Sequence, residues 1–282
     1  MRAMKNLFIG RERELTDHGL FHKLSLVALL AWVGLGADGL SSSCYGPEEA
    51  YKALLAHPPL AVFVAFMTAA TVVIICVSYS QIIALFPAGG GGYLVASRLL
   101  SPTAGVVSGS ALLIDYVLTI SISVASGMDA LFSFLPESWL AWKLAAAVGG
   151  VLFLTLLNLR GVRESVLLLA PVFGVFLLTH TFAVLYAFGS HASSLVALAG
   201  DTVKAVHGAS AEVGAFGVVA LLLRAYSMGA GTYTGIEAVS NAVQIMREPK
   251  VPTAQRTMIY MAVSLAVVAG GILLGYMLLG IN

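Results

Sequence analysis

The sequence predicts an all-α membrane protein. Of its 282 residues, 59% are hydrophobic and only 10% are charged, whereas a soluble domain carries about 25% charged residues. The apolar residues are gathered into long runs, and a run of about 20 residues is enough to cross a bilayer as a helix. These observations exclude soluble enzymes, nucleic-acid-binding proteins and disordered regulators. The net charge of +1 leaves no basic excess that could hold a polyanion.

Seven apolar segments follow a charged N-terminal stretch. Residues 1–23 mix basic and acidic side chains and lack the short basic start and 7–15-residue apolar core of a signal peptide. We interpret them as an uncleaved cytoplasmic tail, and residues 24–282 as a transmembrane core. The predicted spans are 25–56, 60–86, 103–135, 139–157, 166–188, 216–246 and 258–279. The stretch from Gly189 to Gly214 is expected to be a long external loop.

Lysines and arginines are distributed unevenly between alternate loops, and this bias predicts the orientation. With the N-terminus inside, eleven of them lie on the inner side: Arg2, Lys5, Arg11, Arg13, Lys23, Arg98, Arg160, Arg163, Arg247, Lys250 and Arg256. Only Lys52, Lys143 and Lys204 lie outside. We therefore expect a multi-pass protein of the plasma membrane, with a cytoplasmic N-terminus and residue 282 on the outer side.

Four charged residues fall deep within predicted spans. They are Asp38, Asp115, Arg224 and Glu237. A charge at the centre of a membrane helix costs about 2.5–3.5 kcal/mol on insertion scales, so each of these residues needs a role. Arg224 is expected to form a structural ion pair with Asp129, and a role in gating is the alternative. The three acids are candidates for a functional site.

Glycine-rich stretches predict that the first and sixth spans are broken. Residues 34–43 hold three glycines and three serines, which places the first break around Gly36–Ser41; residues 229–235 repeat the pattern. Unwound backbone is tolerated in a membrane only where it lines an enclosed cavity, and paired interruptions point to a transporter's central site. Glycines that merely allow close helix packing would not account for the adjacent acids. The expected hinge residues are Gly36, Ala37, Gly39, Gly229 and Gly231.

The two predicted breaks lie five spans apart, on spans that run in opposite directions. This spacing predicts two five-helix repeats of inverted topology, the second of which is incomplete in this chain. Polar residues also share helix faces. One stripe on the third span comprises Ser108, Asp115, Thr119, Ser123 and Ser126, and a second on the sixth comprises Thr234, Glu237 and Asn241. We expect the third-span stripe to face the central site, because a helix-packing face would explain the serines but not Asp115.

Both cysteines and one buried histidine are interpreted as structural. Cys44 and Cys76 lie in apolar surroundings, with no Cys-x-x-Cys pair and no histidine at metal-ligand spacing. We interpret both as buried packing residues. His180 lies between two threonines in the fifth span and is interpreted as a core histidine outside the site.

Several motifs resemble the amino acid–polyamine–organocation superfamily. They are the broken first span, Phe86-Pro-Ala-Gly-Gly-Gly-Gly-Tyr93, Asn158-Leu-Arg-Gly161, and the sixth-span break followed by Arg247-Glu-Pro-Lys-Val-Pro252. Within that superfamily, residues 37–49 look like the KimA-type potassium/proton symporters of the KUP group. The resemblance implies a LeuT-like 5+5 fold and a chain that continues beyond residue 282. We therefore expect this sequence to be the first part of a larger transporter.

The resemblance also implies a set of ion-binding residues. That group draws its potassium site from an Asp and a Tyr of the first span, an Asp-Tyr pair of the third, and a Thr and a Glu three apart in the sixth. The matching positions here are Asp38, Tyr45, Asp115, Tyr116, Thr234 and Glu237. Thr119, on the Asp115 stripe, completes the expected potassium site.

Charge favours a cation over an amino acid as substrate. Permeases of this fold hold a substrate carboxylate at a half-helix N-terminus of the first span. Asp38 there would repel the carboxylate by roughly 4 kcal/mol at 4 Å and an effective dielectric near 20. Carboxylates, hydroxyls and freed carbonyls instead suit a hard cation. Three acids around one monovalent ion leave excess negative charge, so one should carry a proton, and Glu237 is the candidate.

The sequence therefore predicts potassium uptake coupled to protons by alternating access, with no enzymatic activity. The alternative is an amino acid permease of the same superfamily. A distant alternative is an intramembrane aspartyl protease, whose motif order is reversed here and which leaves Glu237 unexplained. No cofactor is expected besides the transported potassium ion and proton. The expected partners are the lipid bilayer, a monovalent cation and a second copy of the full-length protein, but no nucleic acid.

Overall fold

The computed structural model describes residues 25–159 and 162–281, with the side chains of 162–164 omitted. The predicted tail, 1–23, lies outside this range, as do Arg160 and Gly161 of the turn after the fourth span. The α-helices are α1 Ala28–Ser42, α2 Gly46–Lys52, α3 Ala61–Leu85, α4 Gly91–Val95, α5 Pro102–Phe132, α6 Lys143–Leu159, α7 Val162–Ser190, α8 Ala192–Met228, α9 Ala238–Asn241 and α10 Lys250–Leu279. Short 3₁₀ or π turns occupy Pro58–Leu60, Ala96–Leu100, Glu137–Trp142, Gly229–Tyr233 and Val243–Ile245.

Six helical stretches of the described residues are long and apolar enough to cross a membrane. They are Pro58–Leu85, Pro102–Phe132, Glu137–Leu159, Ser165–Ser190, Ala192–Asn241 and Lys250–Leu279. Their outward faces carry large apolar side chains in contact with the surroundings, for example Phe66 on α3 and Leu178 on α7. Such faces are stable only in hydrocarbon or against other protein.

The first predicted segment is helical, but its interruption is not where the glycines predict it. Helix α1 runs without a break through Gly36–Ser41, so Gly36, Ala37 and Gly39 lie in regular helix. The chain leaves the helix only at Ser43–Tyr45. Leu40 in the last turn is almost completely buried, and such packing outweighs the weak helix propensity of glycine.

Short backbone bonds close the end of α1. The N–H groups of Ser43, Cys44 and Tyr45 each donate to the carbonyl three residues earlier, at 3.1, 3.0 and 3.4 Å, which satisfies carbonyls that a helix end would otherwise leave without partners. The hydroxyls of Ser41 and Ser43 add bonds to the Asp38 and Leu40 carbonyls at 2.8 and 2.6 Å. Helix α2 then begins with Pro47 in its first turn, where the missing N–H of proline costs nothing.

The second interruption lies in the glycine-rich stretch that predicts it. Helix α8 ends at Met228, the chain forms a 3₁₀ turn over Gly229–Tyr233, and residues 234–237 form a turn before α9. Gly235 in that turn has a φ of 84°, a left-handed conformation that side chains with a Cβ adopt at a cost of about 1–2 kcal/mol.

The expected external loop at 189–214 is instead part of a helix. Helix α8 begins at Ala192 and bends at Gly214, whose φ of 76° and ψ of 165° are not helical. The stretch was predicted to be a loop because it separates two apolar segments, but its many alanines favour helix.

The chain divides into two compact units. The first comprises residues up to Leu35, Ile82–Pro171 and Ala238–Thr257; the second comprises Gly36–Gln81, Val172–Glu237 and from Met258 onwards. The second unit has a buried apolar cluster in which α2, α3, α8 and α10 meet, and it includes Tyr51, Leu54, Leu60, Val64 and Leu273.

Two groups of ion pairs lie on the described helices. Lys52 lies 2.7 Å from a Glu48 carboxylate oxygen and 3.0 Å from one of Glu49, both within α2. Asp129 pairs with Lys143 across the turn between α5 and α6. The expected Asp129 partner, Arg224, was therefore wrong, because Lys143 follows α5 closely enough in the chain to pair with it.

Candidate ion-binding site

The candidate site residues are distributed over both compact units. Asp38, Tyr45, Thr234 and Glu237 belong to the second unit, with the five expected hinge residues. Asp115, Tyr116 and Thr119 belong to the first. Each group is described here within its own unit.

Asp38 lies against the backbone of the second interruption. A Cβ placed on Gly235 would lie 2.7 Å from Oδ2 of Asp38 and 2.8 Å from the backbone nitrogen of Gly39. No side chain fits in that space without displacing the carboxyl group or the helix. Gly235 therefore combines a left-handed conformation with close approach to α1, and it positions the Asp38 carboxyl group beside the turn that carries Thr234.

Four oxygen atoms next to Asp38 form a continuous chain of hydrogen bonds. The Thr234 hydroxyl donates to the Gly231 carbonyl at 2.9 Å. The Ser42 oxygen lies 3.0 Å from that of Thr234 and 2.9 Å from that of Tyr45, and Thr234 and the Asp38 carbonyl both lie within reach of the single Ser42 proton. The chain links the end of α1 to the second interruption through side chains alone.

Ser42 is the centre of this network. Its side chain is fully buried, and its oxygen also lies 3.2 Å from the Asp38 carbonyl. Sequence reasoning named neither Ser42 nor Gly235 as a site residue. Their signals were present in the sequence, because Ser42 lies one helical turn after Asp38 and Gly235 lies two residues before Glu237.

Glycines let α2 pack directly on the 3₁₀ turn. A Cβ on Gly231 would lie 3.0 Å from the Tyr45 ring, and a Cβ on Gly229 would lie 2.9 Å from the Cβ of Ala50. Gly46 in turn lies directly against Thr232. The glycines of the second interruption thus serve two purposes, since they unwind the helix and admit α2 to contact distance.

Glu237 ends the second interruption, one residue before α9. Its side chain is half-buried, and its Oε1 atom is inaccessible to solvent. Nearby tyrosines support the same turn, because Tyr233 donates to the Thr68 hydroxyl at 3.2 Å and the Tyr226 hydroxyl lies 2.8 Å from that of Thr71. The segment that leads to Glu237 is therefore hydrogen-bonded to α3, and α3 is in turn hydrogen-bonded to α8.

In the first unit, Tyr116 contacts the end of α9. The side-chain amide of Asn241 donates to the Tyr116 hydroxyl at 3.0 Å. Asn241 and Ser240 also pack against the Gly89–Gly91 turn, in which all three glycines have positive φ. This contact gives the glycine-rich motif before α4 a structural reason, which its resemblance to other proteins did not supply.

The other two residues of this group differ in exposure. Asp115 is half-buried on α5, whereas Thr119, one turn later, is only 5% exposed. Ser123, one further turn along the same face, has a buried hydroxyl without a hydrogen-bond partner among the described residues. The α5 face predicted from the sequence therefore carries buried or half-buried polar side chains.

The donors around Asp38 are all oxygen atoms from carboxyl, hydroxyl and carbonyl groups. Hard cations prefer such ligands, and ion pathways in membrane proteins use them in place of the ion's hydration shell. Among the described residues there is no cluster of three or more His, Cys, Asp or Glu that could hold a metal ion.

Comparison with known proteins gives two matches. Residues 24–281 match the family model described as "Amino acid permease". The chain is also 33% identical over 275 residues to the "Potassium transporter KimA" of Bacillus subtilis (strain 168), an alignment that covers 96% of this chain and 44% of the relative. The chain therefore spans less than half the length of the curated relative that it matches.

Proposed function

The chain belongs to the amino acid permease family, and on that premise we propose that the protein takes up potassium together with protons by alternating access. Family membership favours a transporter over an enzyme. The relative from Bacillus subtilis is named a potassium transporter, and the oxygen donors beside Asp38 suit the same ion.

The observation that carries this proposal is the position of the Asp38 carboxyl group. It lies against the Gly235 backbone, beside the hydrogen-bonded hydroxyls of Ser42, Tyr45 and Thr234. A carboxylate among hydroxyls and carbonyls offers a monovalent cation both charge compensation and replacement of its water ligands. Tyr45 and Thr234 would supply neutral oxygen ligands.

An amino acid substrate is the second candidate, because the family description itself names amino acids. Its carboxylate would meet the negative charge of Asp38 with a repulsion of roughly 4 kcal/mol at 4 Å and an effective dielectric near 20. The same charge attracts potassium. The charge of Asp38 therefore favours binding of potassium over binding of an amino acid.

We assign proton coupling to Glu237. Its half-buried carboxyl group ends the second interruption, and two ionised acids, Asp38 and Glu237, would leave excess negative charge beside one monovalent ion. Protonation of Glu237 would balance that charge. Proton release on the inner side would then accompany release of potassium.

The same proposal includes the architecture and location expected from the sequence. We assign the protein a LeuT-like fold of two inverted five-helix repeats, in which the two interruptions described above correspond to one another. We place it in the plasma membrane with its N-terminus in the cytoplasm. Movement of the helices that carry the interruptions would open the site alternately to each side.

Tracer uptake into proteoliposomes tests the substrate. We expect vesicles that contain the protein to accumulate rubidium-86, a potassium tracer, when an inward proton gradient is imposed. Excess unlabelled potassium should suppress this uptake, whereas a mixture of the twenty amino acids should not. Accumulation of labelled amino acids that potassium leaves unchanged would favour the permease alternative.

Glu237→Gln tests the coupling separately from the substrate. This variant keeps the shape of the side chain but cannot exchange a proton. We expect it to retain rubidium binding or exchange while losing the response of uptake to a proton gradient. An unchanged gradient response would remove Glu237 from the proposal and leave the potassium assignment standing.

A further inference from the structure

Helix α8 is too long to be a single membrane span. Its 37 residues would extend about 55 Å at 1.5 Å per residue, whereas the hydrocarbon core of a bilayer is about 30 Å thick. The part before the bend at Gly214, residues 192–213, is called here the pre-bend segment. It carries four exposed titratable side chains, Asp201, Lys204, His207 and Glu212. The pre-bend segment therefore belongs outside the hydrocarbon, where water reaches it.

The bend has the properties of a hinge. Gly214 has a φ of 76° and a ψ of 165°, a backbone conformation that essentially only glycine adopts. A Cβ placed on Gly214 would meet no atom within 4 Å. No other part of the described chain therefore packs against the bend at this point, and its dihedral angles can change without displacing a neighbour there.

The contact that holds the pre-bend segment against the second unit is weak. Thr202, Ala205, Val206 and Ala209 lie on one helix face. Ala209 belongs to the buried cluster formed with α2 and α3, and Ala205 and Val206 pack against that cluster. Alanine buries little apolar surface. The Thr202 hydroxyl is buried without a hydrogen-bond partner among the residues that the structure describes, which costs free energy while the face stays covered.

A histidine and a glutamate join the pre-bend segment to the corner between α2 and α3. Nε2 of His57 lies 3.3 Å from Oε2 of Glu212. His57 immediately precedes the Pro58–Leu60 turn, and its side chain is 13% exposed; Glu212 lies two residues before Gly214 and is 66% exposed. Both residues belong to the second compact unit. The pair therefore lies beside the hinge, where it can hold the segment against the corner.

Glu212 is the one described acid that forms an ion pair with His57. The other titratable groups on the elements around this corner are Glu48, Glu49, Tyr51 and Lys52 on α2, Asp201, Lys204 and His207 on α8, and Tyr276 on α10. Each of these lysines pairs with acids of its own helix. The charge of a histidine changes between about pH 5 and 8, so the attraction to Glu212 is present at the acidic end of that range and is lost as the pH rises.

We propose that the pre-bend segment is a lid that closes on the α2–α3 corner while His57 is protonated and opens when His57 loses its proton. Without the ion pair, the weak packed face alone holds the lid. Because Glu212 is exposed, the pair should change the ratio of closed to open lid by about fivefold at most. In the orientation proposed above, the lid would respond to the pH outside the cell, and α8 leads from it to the second interruption.

Cysteine labelling measures the open fraction of the lid. Cys44, which is exposed contrary to the expectation of a buried packing residue, and Cys76, which is buried as expected, are first replaced by serine and alanine. A water-soluble maleimide then labels a Thr202→Cys variant, whose side chain is covered while the lid is closed. Ser194→Cys, at an exposed position of the same segment, corrects for the greater reactivity of thiols at high pH. We expect the ratio of the two labelling rates to rise about two- to fivefold from pH 5.5 to pH 8.

Three further variants assign the pH dependence to the ion pair. In His57→Gln and in Glu212→Gln the ratio should stay near the pH 8 value of the parent protein at both pH values. His207→Gln, which alters an exposed histidine of the same segment, should keep the full pH dependence. Glu212→Gln changes only an exposed side chain, so its result stands even if His57→Gln disturbs the corner.

A ratio that does not change with pH in the parent protein would overturn the proposal, as would a change that persists in both His57→Gln and Glu212→Gln. The labelling is carried out on the purified protein in detergent and needs neither transport nor a particular orientation. Failure of rubidium uptake would therefore bear only on the function proposed above, whereas failure of the labelling prediction would bear only on the lid.

Discussion

The two interruptions in the second unit are built by different chemistry. The one after α1 takes only three residues, Ser43–Tyr45, whose backbone N–H groups donate to the carbonyls of Leu40, Ser41 and Ser42. The one after α8 takes nine residues, Gly229–Glu237, and depends on glycine. The first is closed by successive short backbone hydrogen bonds, whereas the second depends on the absence of side chains.

This difference assigns distinct roles to the glycines of the two segments. Gly39 lies in regular helix, where an added Cβ would meet the Thr234 carbonyl oxygen at an ordinary 3.5 Å. Gly235 has a positive φ and leaves no room for a Cβ beside Asp38. Glycine in α1 therefore permits packing, whereas glycine in the second interruption determines the backbone.

Gly235→Ala should have the largest effect on stability. The left-handed backbone and the clash with Asp38 and Gly39 should together cost about 2–5 kcal/mol. We expect a marked fall in the apparent melting temperature of the purified protein and loss of rubidium uptake. Gly208→Ala on α8, where a Cβ meets nothing within 4 Å, is the matched control and should be neutral or slightly stabilising. Equal melting temperatures for the two variants would contradict a determining role for Gly235.

Ser42→Ala tests the connection between the interruptions. It removes the hydroxyl that bonds both Tyr45 and Thr234, which should cost about 1–3 kcal/mol because the partners stay half-buried. Ser41→Ala removes only one bond, to the Asp38 carbonyl, and should cost no more than about 1 kcal/mol. Thermal melting of the two variants side by side checks the order, and a larger loss in Ser41→Ala would reverse it.

Thr234→Ala and Thr234→Ser distinguish the contribution of the Thr234 hydroxyl to stability from that of its methyl group. The alanine variant loses the bonds to Gly231 and Ser42 and should cost about 1–2 kcal/mol. The serine variant keeps the hydroxyl and should recover most of the stability and of the rubidium uptake. If serine behaves as alanine does in both measurements, packing of the methyl group matters more than the hydrogen-bond chain.

Gly39→Ala should have the smallest effect. The added methyl group makes ordinary contacts with Thr234 and Leu265, and alanine favours helix by about 0.8–1.0 kcal/mol relative to glycine. We expect the melting temperature to change little in either direction. A loss as large as that of Gly235→Ala would mean that α1 unwinds at Gly39 after all and would restore the break that the sequence predicts.

The sequence predicts the second interruption but misplaces the first for one physical reason. Glycine content reports backbone freedom, and this freedom is used at Gly235, whose φ is positive, but not at Gly36 and Gly39, which lie in regular helix. Long apolar runs likewise predict α3, α5, α6 and α10 well, because length and hydrophobicity alone specify a span.

Contacts between distant residues could not be predicted in the same way. Residue types identified Asp38, Thr234 and Glu237, since an acid in a membrane span is costly wherever it lies. The role of Ser42 depends on simultaneous contacts with Tyr45 and Thr234, and the Tyr116–Asn241 hydrogen bond joins residues 125 positions apart. Neither can be inferred from spacing along one helix.

The most direct test of the proposed cation site is rubidium uptake by Asp38→Asn. This variant keeps the size of the side chain beside Gly235 but removes its charge, so the fold should survive, as an unchanged melting temperature would verify. We expect uptake to be abolished, because the carboxylate supplies the charge that binds the cation. Uptake at the rate of the unmodified protein would contradict the proposed site.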